Sequence, residues 1–390
     1  MTRRPLLLFA LFCLFLPSFA EAQGVKVSGS IEDLEMAAGV DPYDPTALYN
    51  LALGYWSEEL YDETETQLRR VLELDARYAP AYLALAYLPL AQREELRREI
   101  LAGEVPEEWE DRVAETGRQY RRAFLVDPLV DIRIMAAVQP KKSAIWSFGE
   151  YASFYEAYYG IFEDFEEGNY ESAYMRFDRL IRDLKGLGDT PSYLLWYRGL
   201  SAAHVGKYKE AVRDIEKLIA RYEELEEGED LLHVPLRTNE YRDLLAFIED
   251  KRGNADRAIE LYRDALVHDV GLYMAHVRLA EIHEAQRDGW EAVAERQRAV
   301  DANPDDPTLL TDLGRTLAQM QQWDEAHDVM HRAVEANPDD PKSWYYLGLL
   351  DQKAGDRAGA RGAFREFLKR APSRFGEQIN DARTRLRALS

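Results

Sequence analysis

An all-α solenoid of antiparallel helix pairs is the fold class this 390-residue sequence predicts, and three observations predict it. The hexapeptide Ala-Asn-Pro-Asp-Asp-Pro occurs at 302–307 and again at 336–341, 34 residues apart. A fixed period of that size marks stacked helix–turn–helix units, each burying its apolar face only against its neighbours. Small and large apolar residues recur at fixed offsets inside the same period, as two helices crossing closely require. The composition, 46% hydrophobic and 31% charged with a single cysteine, suits amphipathic helices and supplies no disulfide framework.

In chain order, residues 1–22 read as a removable export signal. Arg3 and Arg4 form its basic start, residues 6–16 its apolar stretch, and Ala20-Glu21-Ala22 a small-x-small cleavage site. That stretch falls short of the ~20 apolar residues a membrane span needs, and none later approaches that length. Cys13 lies within the signal behind the bulky Phe12, a poor lipidation site, so the mature chain carries no thiol. Residues 23–44 read as a linker. Residues 45–130 read as an N-terminal pair of units. Pro45 opens the first, with Leu48, Leu51-Ala52, Tyr55, Leu68 and Val71, and with Thr64 where a small alanine is expected. The second opens at Ala79, and its second helix comes late, after Pro106, with Trp109, Thr116, Tyr120 and Ala123.

Residues 131–153 hold no register and read as a connector. Residues 154–225 read as two degenerate units around the turns Gly168-Asn169-Tyr170 and Gly206-Lys207-Tyr208, the first with its helices one residue out of phase. An acidic, proline-containing insertion spans 226–238. Residues 239–374 form four regular units opening at Asn239, Tyr273, Pro307 and Pro341. Residues 375–390 read as a capping helix, with Ile379, Ala382, Leu386 and Leu389 on one face and Arg383, Arg385 and Arg387 between them.

Counted from Pro341 as position 1, the last unit has Trp344 at 4, Leu347-Gly348 at 7–8, Ala360 at 20, Phe364 at 24 and Pro372 at 32. This resembles the tetratricopeptide repeat family and its W-x2-L-G-x2-Y…A-x3-F…P pattern. The unit at Pro307 repeats it with Leu310, Leu313-Gly314, Ala326 and Met330, and the unit at Asn239 with Leu245-Ala246, Ala258 and Tyr262. The unit at Tyr273 departs once, with Arg296 where a large apolar residue belongs. The resemblance implies a right-handed superhelix of about eight repeats. Its concave groove would be lined by the first helix of each unit, chiefly at positions 2, 5, 9, 12 and 13. Carried over, the groove residues are Tyr49, Leu53, Trp56, Leu83, Tyr87, Tyr155, Tyr158, Tyr193, Trp196, Phe247, Arg315 and Tyr345. An aromatic stripe at helical spacing also reads as core, and for these rings both readings stand.

The formal charge of −22 argues against nucleic acid or anionic lipid as a partner, since both are held by Lys and Arg. Positions 5 and 9 hold Asp243, Phe247, Thr311, Arg315, Tyr345 and Leu349, so the Lys/Asn clamp of one chaperone-binding subclass is absent. His327 and His331 lie four apart with Asp324 and Asp328 beside them, on what the register makes an exposed helix face, and no metal site is expected there. Glycine-rich phosphate loop, HExxH and nucleophile elbow are lacking, so neither catalysis nor a cofactor is expected. The sequence thus points to a non-enzymatic protein–protein interaction scaffold of the bacterial cell envelope. It would be exported to the periplasm or cell surface and bind an extended peptide or partner helix for assembly or secretion of envelope components. The alternatives are a carbohydrate-binding component of exopolysaccharide export and an accessory subunit of an envelope enzyme. The oligomeric state is not encoded in any pattern read here.

Overall fold

The computed structural model describes residues 29–93, 96, 99, 105–130, 161–162, 164–165, 167–185, 189–224, 238–269, 271–304 and 306–389. The stretch read as an export signal, residues 131–153 read as a connector, Tyr155, Tyr158 and the acidic stretch up to residue 237 lie outside these. Among the described residues there are seventeen α-helices, one short 3-10 turn and no strand. None of these helices is long and apolar enough to cross a membrane. The fold is all-α, built from consecutive helix pairs.

Helix α1 (Ile31–Val40) precedes the first pair, α2 (Pro45–Ser57) and α3 (Tyr61–Leu74). Then come α4 (Ala79–Gln92) with α5 (Glu107–Val126), α6 (Tyr170–Asp183), and α7 (Ser192–His204) with α8 (Tyr208–Glu223). The regular pairs are α9 (Thr238–Lys251) with α10 (Ala255–His268), and α11 (Tyr273–Ala285) with α12 (Gly289–Ala302). They continue with α13 (Pro307–Gln319) and α14 (Trp323–Ala336), then α15 (Pro341–Ala354) and α16 (Arg357–Arg370), and α17 (Gly376–Leu389) closes the chain.

Seven of the repeats turn on one left-handed residue at position 15. Gly168, Gly206, Gly253 and Gly355 take it with φ between 75° and 87°. Glu59, Arg287 and Gln321 take the same conformation at 60–63°, where a Cβ makes it costly. The small residue at position 8 has an equally direct cause. A Cβ on Gly314 would lie 2.7 Å from Met330 Cε, and one on Gly348 would lie 2.8 Å from Phe364 Cε1. The large residue at position 24 occupies the space that the glycine leaves.

The repeated hexapeptide is turn and cap chemistry. Asn337 Oδ1 accepts from the Asp339 amide, and Asp340 accepts from the amides of Lys342 and Ser343 at 3.0 and 3.1 Å. Pro341 takes the first helical position, where a missing N–H costs nothing. In the earlier copy Asp306 caps α13 through the Thr308 amide.

Contacts divide the chain into two compact units. The first comprises 56–61 and the described part of 79–268. Its interior is a relay of rings: Tyr87 on Tyr120, Tyr120 on Phe124, Phe124 on Trp196, Trp196 on Tyr241 and Tyr241 on Tyr222, with centroids 4.9–6.4 Å apart. A second cluster gathers Phe162, Phe165, Phe177 and Tyr197 at 5.0–5.6 Å. Pro106 stands at the N-cap of α5, which buries Thr116, Tyr120 and Ala123. Within this apolar unit Arg198 is buried at position 7, where the pattern calls for leucine. Its guanidinium meets Asp214, which is 0% exposed, through two hydrogen bonds of 2.7 Å, and Asp178 at 3.0 Å.

The second unit comprises 29–55, 62–78 and the described part of 269–390. Residues 31–40, read from the sequence as linker, are a helix. Ser30 and Asp33 form a reciprocal capping box, and Leu34 packs beneath Gly54, where a Cβ would come within 2.6 Å of its Cδ1. Helix α17 buries Ala382 and Leu389 in a cluster with Phe364 and Phe367.

Candidate functional site

The twelve residues assigned to a groove from the repeat register separate on burial. Trp196 is 1% exposed, with the Phe124 and Tyr241 rings 6.3 and 5.6 Å away. Tyr87 and Leu83 are fully buried, and Trp56 is buried, T-shaped to Tyr61 at 6.5 Å. These four are packing residues: a buried side chain has no surface left for a ligand. Leu90, Phe162, Phe165 and Leu200, which share their register, are buried as well. Tyr49, Leu53, Tyr193, Phe247, Arg315 and Tyr345 keep part of their surface in solvent.

In the second unit Arg315 belongs to a constellation of charge. Helix α11 contributes Glu284, α12 contributes Arg296, and α13 contributes Asp312, Arg315 and Thr316. Arg296 is 2% exposed and reaches Glu284 at 3.3 Å and Asp312 at 3.5 Å. Its carboxylate partners explain why an arginine replaces the expected large apolar residue at position 24. Arg315 also meets Glu284 at 3.3 Å, and Thr316 Oγ1 donates to the same carboxylate at 2.8 Å.

The next cation in this constellation comes from the other end of the chain. Arg77, in the turn after α3, donates from Nη1 to Asp312 Oδ2 at 2.7 Å and lies 3.7 Å from Asp306 Oδ2. Burial pushes the Asp312 carboxyl up, but Arg77 and Arg296 outweigh it and hold the group below its usual value. Burial also raises Asp306, and there it prevails over Arg77 and the Thr308 hydrogen bond. The same segment makes a second set of ties. Arg70 meets Asp339 at 2.7 Å, Asn337 Nδ2 donates to the Glu73 carbonyl at 2.9 Å, and Arg370 meets Asp339 from the other side at 3.4 Å. Arg374 reaches Asp44 at 2.7 Å, and the Ser373 amide donates to Asp41. A shallow pocket lies among Leu74, Asp75, Thr308, Lys342 and Arg374.

Tyr345 stands at the far end of this unit. Its hydroxyl donates to Asp381 Oδ2 at 2.8 Å, and burial together with that bond pushes its pKa up to about 12. Chemically the surface is a set of fixed carboxylates that accept guanidinium groups in a partly desolvated setting, where charge-assisted hydrogen bonds are strong. Sequence reading missed Arg70, Arg77, Asp312 and Asp339, because no local pattern announces a partner more than 200 residues away, and it missed Glu284, whose partners lie on the next two helices. The one available signal was Arg296, a charge at a core position that had to be answered by carboxylates.

The tetratricopeptide repeat family is matched by this chain over residues 248–307, 285–350 and 342–374. No match is found among curated proteins. Among solved structures, MamA of strain AMB-1 is similar at 20% identity over 46% of this chain and 90% of its own, with a TM-score of 0.36. The C-terminal part of a TPR repeat-containing protein from Cytophaga hutchinsonii is similar at 16% identity over 57% and 83%, with a TM-score of 0.47. Yeast Tom70 is similar at 12% identity over 92% and 91%, with a TM-score of 0.34.

Proposed function

The chain is a tetratricopeptide-repeat protein, and from that premise we propose that it is a non-enzymatic scaffold of the bacterial cell envelope whose C-terminal repeats grip an extended, arginine-bearing segment. Repeats of this kind are protein-interaction modules. The finer reading is supported by one observation above the others: Asp312 accepts from Arg77, with Asp306 3.7 Å away, and Arg77 is a side chain foreign to the repeat that carries the carboxylates. An incoming peptide would present its arginines to the same groups, with Arg315 bordering them and Tyr345 further along the unit. The export signal supports the envelope location. Burial of Trp56, Tyr87 and Trp196 favours a peptide over a sugar, since a stacked sugar needs an open ring face.

The test is site-specific photo-crosslinking from positions 315 and 345 in cells, paired with fractionation and N-terminal sequencing of the mature chain. The reading expects a discrete crosslinked protein whose contact peptide contains arginine, lost in an Asp312→Asn variant, and a mature start at Gln23. A cytoplasmic chain with an intact N-terminus removes the envelope role. Crosslinks that survive Asp312→Asn remove the arginine-directed groove.

A further inference from the structure

Helix α14 carries His327 and His331 one turn apart, on the same face as Asp324 and Asp328. Sequence offers these two histidines no third ligand beyond their own helix. The fold supplies one from the next repeat, and it is neither neighbouring aspartate: Asp351 of α15 places Oδ1 2.8 Å from His327 Nε2. The imidazole rings of His327 and His331 lie 4.5 Å apart between centroids. One donor atom from each of the three side chains falls within 4.8 Å of the others.

Asp351 is a carboxylate only 4% exposed, and its ion-pair partner among the described residues is His327. Lys353, two residues on, turns its ammonium over the Trp323 ring at 4.8 Å and leaves the carboxylate unneutralised by lysine. The space for that carboxylate is kept by Gly359, where a Cβ would lie 2.8 Å from Asp351 Oδ2. Two imidazoles and one carboxylate converging at this distance form a donor set suited to late first-row divalent ions.

We propose that His327, His331 and Asp351 bind a divalent transition-metal ion, Zn2+ above all, which ties α14 to α15 across adjacent repeats. Bonds of ~2.1 Å at tetrahedral angles hold ligand atoms ~3.4 Å apart. The remaining closure falls to His331, which is exposed and free to change rotamer. Three protein ligands leave a fourth position for water or for a side chain of a bound protein. Two ligands lie on the second helix of one repeat and the third on the first helix of the next, and none of them belongs to the arginine-accepting cluster.

The test uses the tag-free full chain, stripped with a chelator and titrated with Zn2+ by calorimetry and with Co2+ by visible absorption. One ion per chain, intense tetrahedral Co2+ bands and a Zn2+-dependent rise in Tm are expected. His331→Ala removes an exposed ligand without touching the core, so its metal-free Tm should match the parent while its affinity falls at least ~10-fold. Asp351→Asn should also lose binding, and His276→Ala, at the separate His276–Glu295 pair, should not. Absence of binding at sub-millimolar Zn2+, or equal affinity in His331→Ala, overturns the site and leaves the His327–Asp351 bond as a simple tie between helices.

Discussion

The two units of this chain bury different chemistry under the same repeat. In the first, rings from five helices touch in series from Tyr87 to Tyr222, and one charged group inside, Arg198, is closed off by Asp214 and Asp178. In the second, the corresponding space admits Glu284, Arg296 and Asp312, with Arg77 arriving from another repeat. Aromatic packing is satisfied once the rings meet and leaves nothing to offer a partner. A carboxylate cluster is satisfied by any well-placed guanidinium, so it can exchange one donor for another. Trp56, Tyr87 and Trp196, which look like a binding surface in sequence, are therefore framework, and the proposed recognition falls to the blander repeats.

The largest effect should come from breaking the ring relay. Trp196→Ala is expected to cost ~3–5 kcal/mol by leaving a cavity between Phe124 and Tyr241. The urea midpoint reports it, and an unchanged midpoint would place that ring on the surface and dissolve the contrast. Arg77→Ala comes next, at about 2 kcal/mol. That is below the ~3–5 kcal/mol for stranding a buried charge, because Arg296 still faces Asp312. The double variant Arg77→Ala/Asp312→Ala should recover part of the loss, and strict additivity would show that the two do not interact.

Acid should separate the units further. Asp312 and Asp339 are held below their usual values: burial raises each, but Arg77 and Arg296 outweigh it at the first, Arg70 and Arg370 at the second. A depressed folded value means that the stabilisation is complete above the unfolded value of ~3.9 and is lost as pH falls through the lower folded value. Asp306, raised by burial, has the opposite sign and offsets part of this. Stability of the second unit should thus fall between about pH 4 and lower values, and Arg77→Ala should flatten that slope. Hydrogen exchange at α13 and α15 followed across that range would show it.

The smallest effect sharpens the shared repeat. Gln321→Gly and Arg287→Gly should each stabilise by about 0.5–1 kcal/mol, since both hold a left-handed φ with a Cβ. Gly253→Ala and Gly355→Ala should destabilise by a similar amount. Thermal melts distinguish the pairs, and a loss from Gln321→Gly would mean that its side chain contributes more than its backbone strain costs.

Much of the architecture is legible because repeats are written locally. Gly314 and Gly348 announce the close crossing, Asp306 and Asp340 the helix starts, and the 34-residue step carries both. Helix α1 was missed: its short apolar face looked like linker, and the Ser30/Asp33 capping box that starts it went unread. The core and groove roles of Tyr87 or Trp196 were not separable, since both roles put an aromatic on the same helix face and only the neighbouring repeat decides. The charge network was invisible for another reason: Arg77 and Asp312 obey no shared period, and Asp351 completes the histidine pair only once two repeats are stacked.

The Arg77–Asp312 bond joins residues 235 apart in the chain. At roughly 5–20 residues per second, a ribosome needs roughly ten to fifty seconds to reach Asp312 after it has made Arg77. During that interval the first repeat has emerged before Asp312 and Asp306, which Arg77 meets in the folded chain, have been made. The chain's own N-terminus must wait for its last repeats, and a chaperone or a neighbouring copy that supplies carboxylates earlier would be competing for the same hand.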